Sequence, residues 1–138
     1  MTNKEFGEFN VVLLGIVFDT KKRKILIGKR DEDPHISKLK WCFPGGRLEE
    51  GGNVEETLKK RIKEKTGLDV ENLGSIYSRV PPEKDDLLLI YFLCEVTGGK
   101  EKAGDDLKEL KWVSPEEVES HFTTSFHPHV KEYVLNLK

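Results

Sequence analysis

The stretch Gly45–Leu68, GGRLEEGGNVEETLKKRIKEKTGL, decides how the chain is read. It opens on a glycine pair, passes through an acidic turn and continues into a run with helical character. Asn53 stands just before that run and is the expected N-cap, because its side-chain oxygen can satisfy an orphan amide of the first turn. Glu55 and Glu56 complement the helix dipole there. Gly67 stops the helix, since glycine enters the left-handed conformation at little cost. The pattern therefore predicts a helix over Val54–Thr66. A glycine loop leading to a helix start offers free backbone N–H groups, which makes this stretch a candidate phosphate cradle.

The flanking sequence supplies a sheet. Val11–Asp19 and Lys24–Lys29 are β-branched and aliphatic, and the turn-forming Asp19-Thr20-Lys21-Lys22 between them predicts an antiparallel hairpin. Arg30–Lys40 is polar and broken by proline, so it reads as a surface loop beside the pocket, ahead of the short apolar Trp41-Cys42-Phe43. Val70–Val80 and Leu87–Val96 read as a second strand pair around Pro81-Pro82-Glu83-Lys84-Asp85-Asp86, with another strand near Leu107–Val113, about five in all. Ser114-Pro115 opens a short helix, and Pro128–Leu137 carries Val130, Tyr133, Val134 and Leu137 at helical spacing.

At 138 residues, without repeat, linker or low-complexity segment, the chain is expected to form a single domain over residues 1–138. Charged residues make up 35%, yet the net charge is only −2, so no global field recommends nucleic acid or an anionic membrane as partner. Any anion-binding surface must be local. The apolar runs Val11–Phe18 and Leu87–Val96 are too short to span a bilayer, and the expected location is the cytoplasm. Cys42 and Cys94 lie far apart with no CxxC pair, which supports neither a zinc site nor a disulfide scaffold; both are expected buried as small apolar residues.

In this stretch and its flanks the chain resembles the Nudix hydrolase family. That family's signature is a glycine, five residues, Glu, seven residues, then Arg-Glu-aliphatic-any-Glu-Glu-any-Gly-aliphatic. Trp41-Cys42-Phe43-Pro44-Gly45-Gly46 is similar to the usual lead-in, Ile27-Gly28-Lys29-Arg30 to the preceding strand, and Lys111-Trp112-Val113-Ser114-Pro115-Glu116-Glu117 to the later strand-to-helix turn. The resemblance implies an α/β fold, a mixed β-sheet between helices in an α/β/α sandwich. Position by position, Gly46 matches the first glycine, while Gly52 stands at the first Glu, Lys60 at the Arg, Arg61 at the next Glu and Lys65 at the last Glu. Glu64, Gly67, Ile62 and Leu68 match. In active members the helix carboxylates hold magnesium or a similar ion, so the box here is degenerate where the chemistry is done.

Helical geometry places Val54, Leu58, Arg61, Ile62 and Lys65 on one broad face. Arg61 and Lys65 then either lay their stems on the core and snorkel to water, or turn their charge toward a phosphate. An i, i+3 pair between Glu64 and Arg61 would hold a guanidinium where the family holds its cation. One carboxylate beside two fixed positive charges meets repulsion of about 4 kcal/mol per contact for a cation at an effective dielectric near 20. Mg²⁺ or Mn²⁺ is therefore expected to bind weakly or not at all, unless Glu49, Glu50, Glu55, Glu56, Asp105 or Asp106 joins Glu64 as a metal ligand.

The phosphate-binding candidates are Gly45, Gly46, Arg47, Lys60, Arg61 and Lys65. Arg30, Trp41, Phe43, Tyr77 and Tyr91 are substrate-pocket candidates, with the aromatics serving either as stacking platforms or as core. Glu64 is the catalytic candidate if the chain is active, and His127 and His129 are candidate acid-base groups, with His35 a further phosphate or proton contact; surface histidines without a role are the plain alternative. The reading is a protein that recognises a nucleoside diphosphate-linked small molecule, as monomer or dimer, with pyrophosphohydrolase activity weak or lost. An active hydrolase with a rearranged metal site and a non-catalytic interaction module are the alternatives.

Overall fold

A computed structural model describes residues 8–30 and 40–137. His35 and most of the loop read over Arg30–Lys40 lie outside the described residues. β1, Asn10–Asp19, is the organising strand. Its run of aliphatic residues is buried on both faces, as suits a strand inside a sheet with helices above and below. β2 (Lys24–Lys29) pairs antiparallel with its end, Val17 opposite Leu26, which forms the expected hairpin. β6 (Leu87–Gly99) runs parallel to it from Asn10 opposite Leu87 to Phe18 opposite Glu95, and β5 (Leu68–Arg79) pairs antiparallel with β6. β7 (Glu109–Val113) closes the other side along β2.

Seven strands form the sheet among the described residues, two more than the pattern suggested. The extra two are β3 (Trp41–Cys42) and β4 (Gly45–Leu48). β1 and β2 part after their short pairing, and the segment from Trp41 to Leu48 fills the fork. β3 pairs with the end of β2, Pro44 O accepts from Gly15 N–H at 2.8 Å, and β4 pairs with the start of β1. The glycine pair expected to be loop is thus strand, stabilised by pairing with residues more than thirty positions away in the chain. A Cβ at Gly45 would run into the Leu13 carbonyl, so the close approach of β4 to β1 requires glycine there.

α1, Val54–Thr66, has the expected bounds. The Asn53 side chain accepts from Glu56 N–H at 3.0 Å, and Gly67 takes φ 75° with its N–H on Lys63 O. Asn53→Ala is expected to cost about 1 kcal/mol of stability through loss of that cap, a small fall in urea midpoint with the unfolding slope unchanged. Leu58, Ile62 and Thr66 are buried one turn apart, while Val54, expected on that face, is 38% exposed at the first position of the helix. Thr66 donates its hydroxyl to Ile62 O at 2.7 Å, which allows a polar residue in this stripe.

The even and odd residues of β1 face opposite cores. Leu13 and Val17 pack with Leu58, Ile62, Phe92 and Cys94 under α1. Ile16 and Phe18 pack with Phe43, Tyr91, Val118, Val130 and Val134. Val118 belongs to α2 (Val118–His121), entered through a 3-10 turn over Pro115–Glu117, and the last two belong to α3 (Pro128–Leu135). The result is the expected α/β/α sandwich. Burial pushes the Cys94 thiol up to about 12, the behaviour of an inert apolar residue, whereas Cys42, expected buried, is half-buried at the cavity wall. No helix of the described residues is long and apolar enough to cross a membrane.

Candidate functional site

The sheet itself builds the floor of a cavity. Val12 pairs with Arg47 on one side and with Leu89 on the other, and Leu89 pairs with Arg79. Directly opposed residues share a face, so Arg47, Val12, Leu89 and Arg79 form one row. At about 4.8 Å per strand, the backbones of the two arginines stand roughly 14 Å apart across an apolar floor. The next row holds Gly45, Leu14, Tyr91 and Tyr77. Above this floor lies a cavity of about 320 Å³, walled by Phe43 and Phe122 and open to the charged groups Arg30, Lys65, Asp106 and Glu83. Phe43, 2% exposed, holds the wall through ring contacts with Tyr91, Phe122 and Phe126 at 5.1 to 6.2 Å.

The end of the cavity at the strand fork is cationic. Lys65 Nζ lies 3.4 Å from Asp106 Oδ1, and Arg30 Nη2 pairs with Asp106 Oδ2. Lys65 and Arg30 are each only 12% exposed, so these charges act in a partly desolvated setting. Among the described residues Asp106 neutralises one of the two, and with Arg47 the end carries excess positive charge beside the Gly45–Gly46 backbone. Arg61 adopts a different posture. Its stem crosses the face of Gly46, where a Cβ would sit 2.8 Å from Arg61 Cδ. Its guanidinium donates to Arg47 O at 3.2 Å and meets Glu64 Oε1 at 3.3 Å and Glu49 Oε1 at 3.5 Å. The expected Glu64–Arg61 pair forms, and Glu49 completes it.

At the other end, Arg79 Nη2 donates to Ser125 Oγ at 2.7 Å. Ser125 in turn donates its hydroxyl to Glu83 Oε1 at 2.7 Å and its backbone N–H to Glu83 Oε2 at 2.6 Å. Desolvation pushes the Glu83 carboxyl up, but the two Ser125 bonds and the Arg79 charge outweigh it and hold the group below its ordinary value. Glu83 is therefore an ionised acceptor at neutral pH. Beside this rim, Tyr77 Oη lies 3.2 Å from His127 Nε2, and the His127 and His129 rings stack at 5.1 Å. Partial desolvation, then the charges of Arg79 and His129, depress the His127 pKa, which keeps that ring neutral at pH 7.

Of the residues expected at the site, Gly45, Gly46, Arg47, Lys65, Arg30, Phe43, Tyr91 and Asp106 line the cavity. Lys60 and Glu64 are exposed on α1, Glu64 against Arg61, and these with Arg61, Asp105, Trp41, Tyr77, His127 and His129 lie outside the lining. Trp41 packs edge-on against His121 at 5.6 Å. Arg79, Glu83 and Ser125 were missed by sequence reasoning. Arg79 ends β5, Glu83 lies in the turn after it and Ser125 in the segment before α3, and the polar Glu83 after a proline pair is the local signal.

The acids nearest the box helix are engaged by cations. Glu49 and Glu64 are both taken by Arg61, and Asp106 by Lys65 and Arg30. Among the described residues no three His, Cys, Asp or Glu side chains gather as a ligand group, and a hard cation wants several oxygen donors free of competing positive charge.

Relatives agree with the fold. The chain is 42% identical over 99 residues to a protein named ADP-ribose pyrophosphatase from Methanocaldococcus jannaschii, an alignment covering 67% of this chain and 55% of the relative. The chain thus spans little more than half the length of that protein. A NUDIX hydrolase structure from Nitrosomonas europaea superposes with a TM-score of 0.75 at 18% identity, over 95% of this chain and 73% of the other. A MutT protein structure from Methanosarcina mazei superposes with a TM-score of 0.70 at 17% identity, over 96% and 94%. At such identities the two structures speak for the fold. The family profile described as NUDIX domain matches residues 9–134, nearly every strand and helix described above, and the chain belongs to that family.

Proposed function

We propose that the chain binds a nucleoside diphosphate-linked compound without divalent metal, and that its pyrophosphohydrolase activity is weak or lost. The observation that carries this reading is the Arg61 guanidinium held between Glu64 at 3.3 Å and Glu49 at 3.5 Å, at a box position where the resemblance implies a metal-binding carboxylate. A guanidinium there, already paired with two carboxylates, cannot lower the pKa of a water molecule or bridge a diphosphate as an ion does. Loss of those effects removes several kcal/mol of transition-state stabilisation, which means orders of magnitude in rate.

Binding asks for less. Arg30, Arg47 and Lys65 with the Gly45–Gly46 backbone take the phosphates, and the apolar floor takes the flat or aliphatic parts of the ligand. Lys60 and Arg61 contribute at longer range. The name of the Methanocaldococcus jannaschii relative makes ADP-ribose the first ligand to test.

The test is thermal shift with ADP-ribose, nucleotide sugars and nucleoside triphosphates, with magnesium and with EDTA. Stabilisation of several degrees by a diphosphate-linked ligand, equal in EDTA, is expected, because a ligand that binds only the folded state raises Tm by mass action. Magnesium-dependent phosphate release by the wild type that disappears in Glu64→Gln would establish an active, rearranged metal site instead. Absence of any ligand response would leave a non-catalytic interaction module.

A further inference from the structure

We infer that Arg79 and Glu83 form a sugar-reading pole of the cavity, taking hydroxyls of a sugar joined to the phosphate held at the strand fork. The inference rests on the nucleotide-binding reading above and specifies where the sugar goes. Arg47 and Arg79 end the same cross-sheet row, with Val12 and Leu89 between them, so a ligand lying along the floor meets one arginine at each end.

The two ends differ in kind. At the fork, among the described residues, Arg30, Arg47 and Lys65 outnumber Asp106, which favours an anion. At the far end one guanidinium faces one carboxylate, so net charge cancels while donors and acceptors remain. A second phosphate gains nothing from such a pair. A neutral polyol does, since each hydroxyl both donates and accepts.

Ser125 displays the binding geometry. Its hydroxyl accepts from Arg79 at 2.7 Å while donating to Glu83 at 2.7 Å, so one hydroxyl already bridges the pair. The backbone N–H of Ser125 holds the other Glu83 oxygen at 2.6 Å and fixes the carboxylate plane. A sugar hydroxyl at the same point makes the same two bonds, and a neighbouring hydroxyl reaches a remaining lone pair of the carboxylate. Glu83 and Ser125 lie on the exposed rim, so the Ser125 hydroxyl can yield its place by a rotamer change without opening the core.

Calorimetry in EDTA with ADP-ribose, ADP and pyrophosphate tests this. Glu83→Gln is expected to weaken ADP-ribose about tenfold or more, the scale of a hydrogen bond to a charged acceptor, and to leave pyrophosphate within about twofold. If ADP weakens as well, the nucleoside ribose occupies the pole; if ADP is unchanged, the sugar beyond the diphosphate does, and either result supports the assignment. Ser125→Ala keeps the backbone bond to Glu83 and removes the internal competitor, so ADP-ribose affinity should hold or tighten. Equal loss for all three ligands, an equal loss in Ser125→Ala, or no loss in Glu83→Gln would overturn the assignment. A wild type that binds none of the three, pyrophosphate included, would instead overturn the reading on which it rests.

Discussion

Replacing Arg61 and Lys65 together by glutamate is expected to create metal-dependent turnover of a diphosphate-linked nucleotide, at least a hundredfold above the wild-type rate with magnesium or manganese. The double change removes the cation that occupies Glu49 and Glu64 and one of the two that occupy Asp106, and adds two carboxylates on the same helix face. Four acids then crowd one turn of α1 and the β4 end. Repulsion among them should lower Tm in EDTA, and magnesium should restore it, which gives a readout independent of catalysis. Metal that raises neither Tm nor rate in the double variant would show that Gly52 also matters. That position is tight, since a Cβ there would lie 2.9 Å from Glu49 O, which is why glutamate is not placed there first. Robust wild-type turnover would refute the proposed loss of activity outright.

Phe43→Ala should produce the largest loss of stability, about 3–5 kcal/mol, for a buried aromatic truncated in a packed core. Phe43 is 2% exposed and touches three other rings, Tyr91, Phe122 and Phe126, which come from β6 and from the segment before α3. Those rings cannot all collapse onto the gap, because Tyr91 is fixed in the sheet opposite Leu14. A fall in Tm of roughly 10–20 °C is expected for a chain of this size. The same ring forms a wall of the cavity, so ligand affinity at low temperature should fall as well. A loss below about 1 kcal/mol in urea unfolding would mean that the aromatic cluster is loosely packed.

How far the chain could be read in advance depended on the range of the interactions. α1 was legible to the residue because Asn53 and Gly67 act within four positions of the helix ends they close. The hairpin of β1 and β2 was legible for the same reason. β4 was not, since Gly45–Leu48 has no strand propensity of its own and is strand only through pairing with Val11–Leu14. The site divides likewise. The Arg61–Glu64 pair follows from helix spacing, but the choice of Glu49 as second partner depends on how β4 returns to α1. Lys65 with Asp106, and Arg79 and Glu83 each with Ser125, join residues more than forty positions apart, and only the finished sheet brings them together.

The parallel pairing of Asn10–Phe18 with Leu87–Glu95 has a consequence for how the molecule comes into being. β1 must wait for β6 before its second edge is covered, so this pairing closes a long loop at a large entropy cost. The cavity floor spans that very seam. The floor is therefore complete only once Leu87–Glu95 has been made, and a nascent chain halted before Leu87 carries the whole glycine-helix element without the surface it faces.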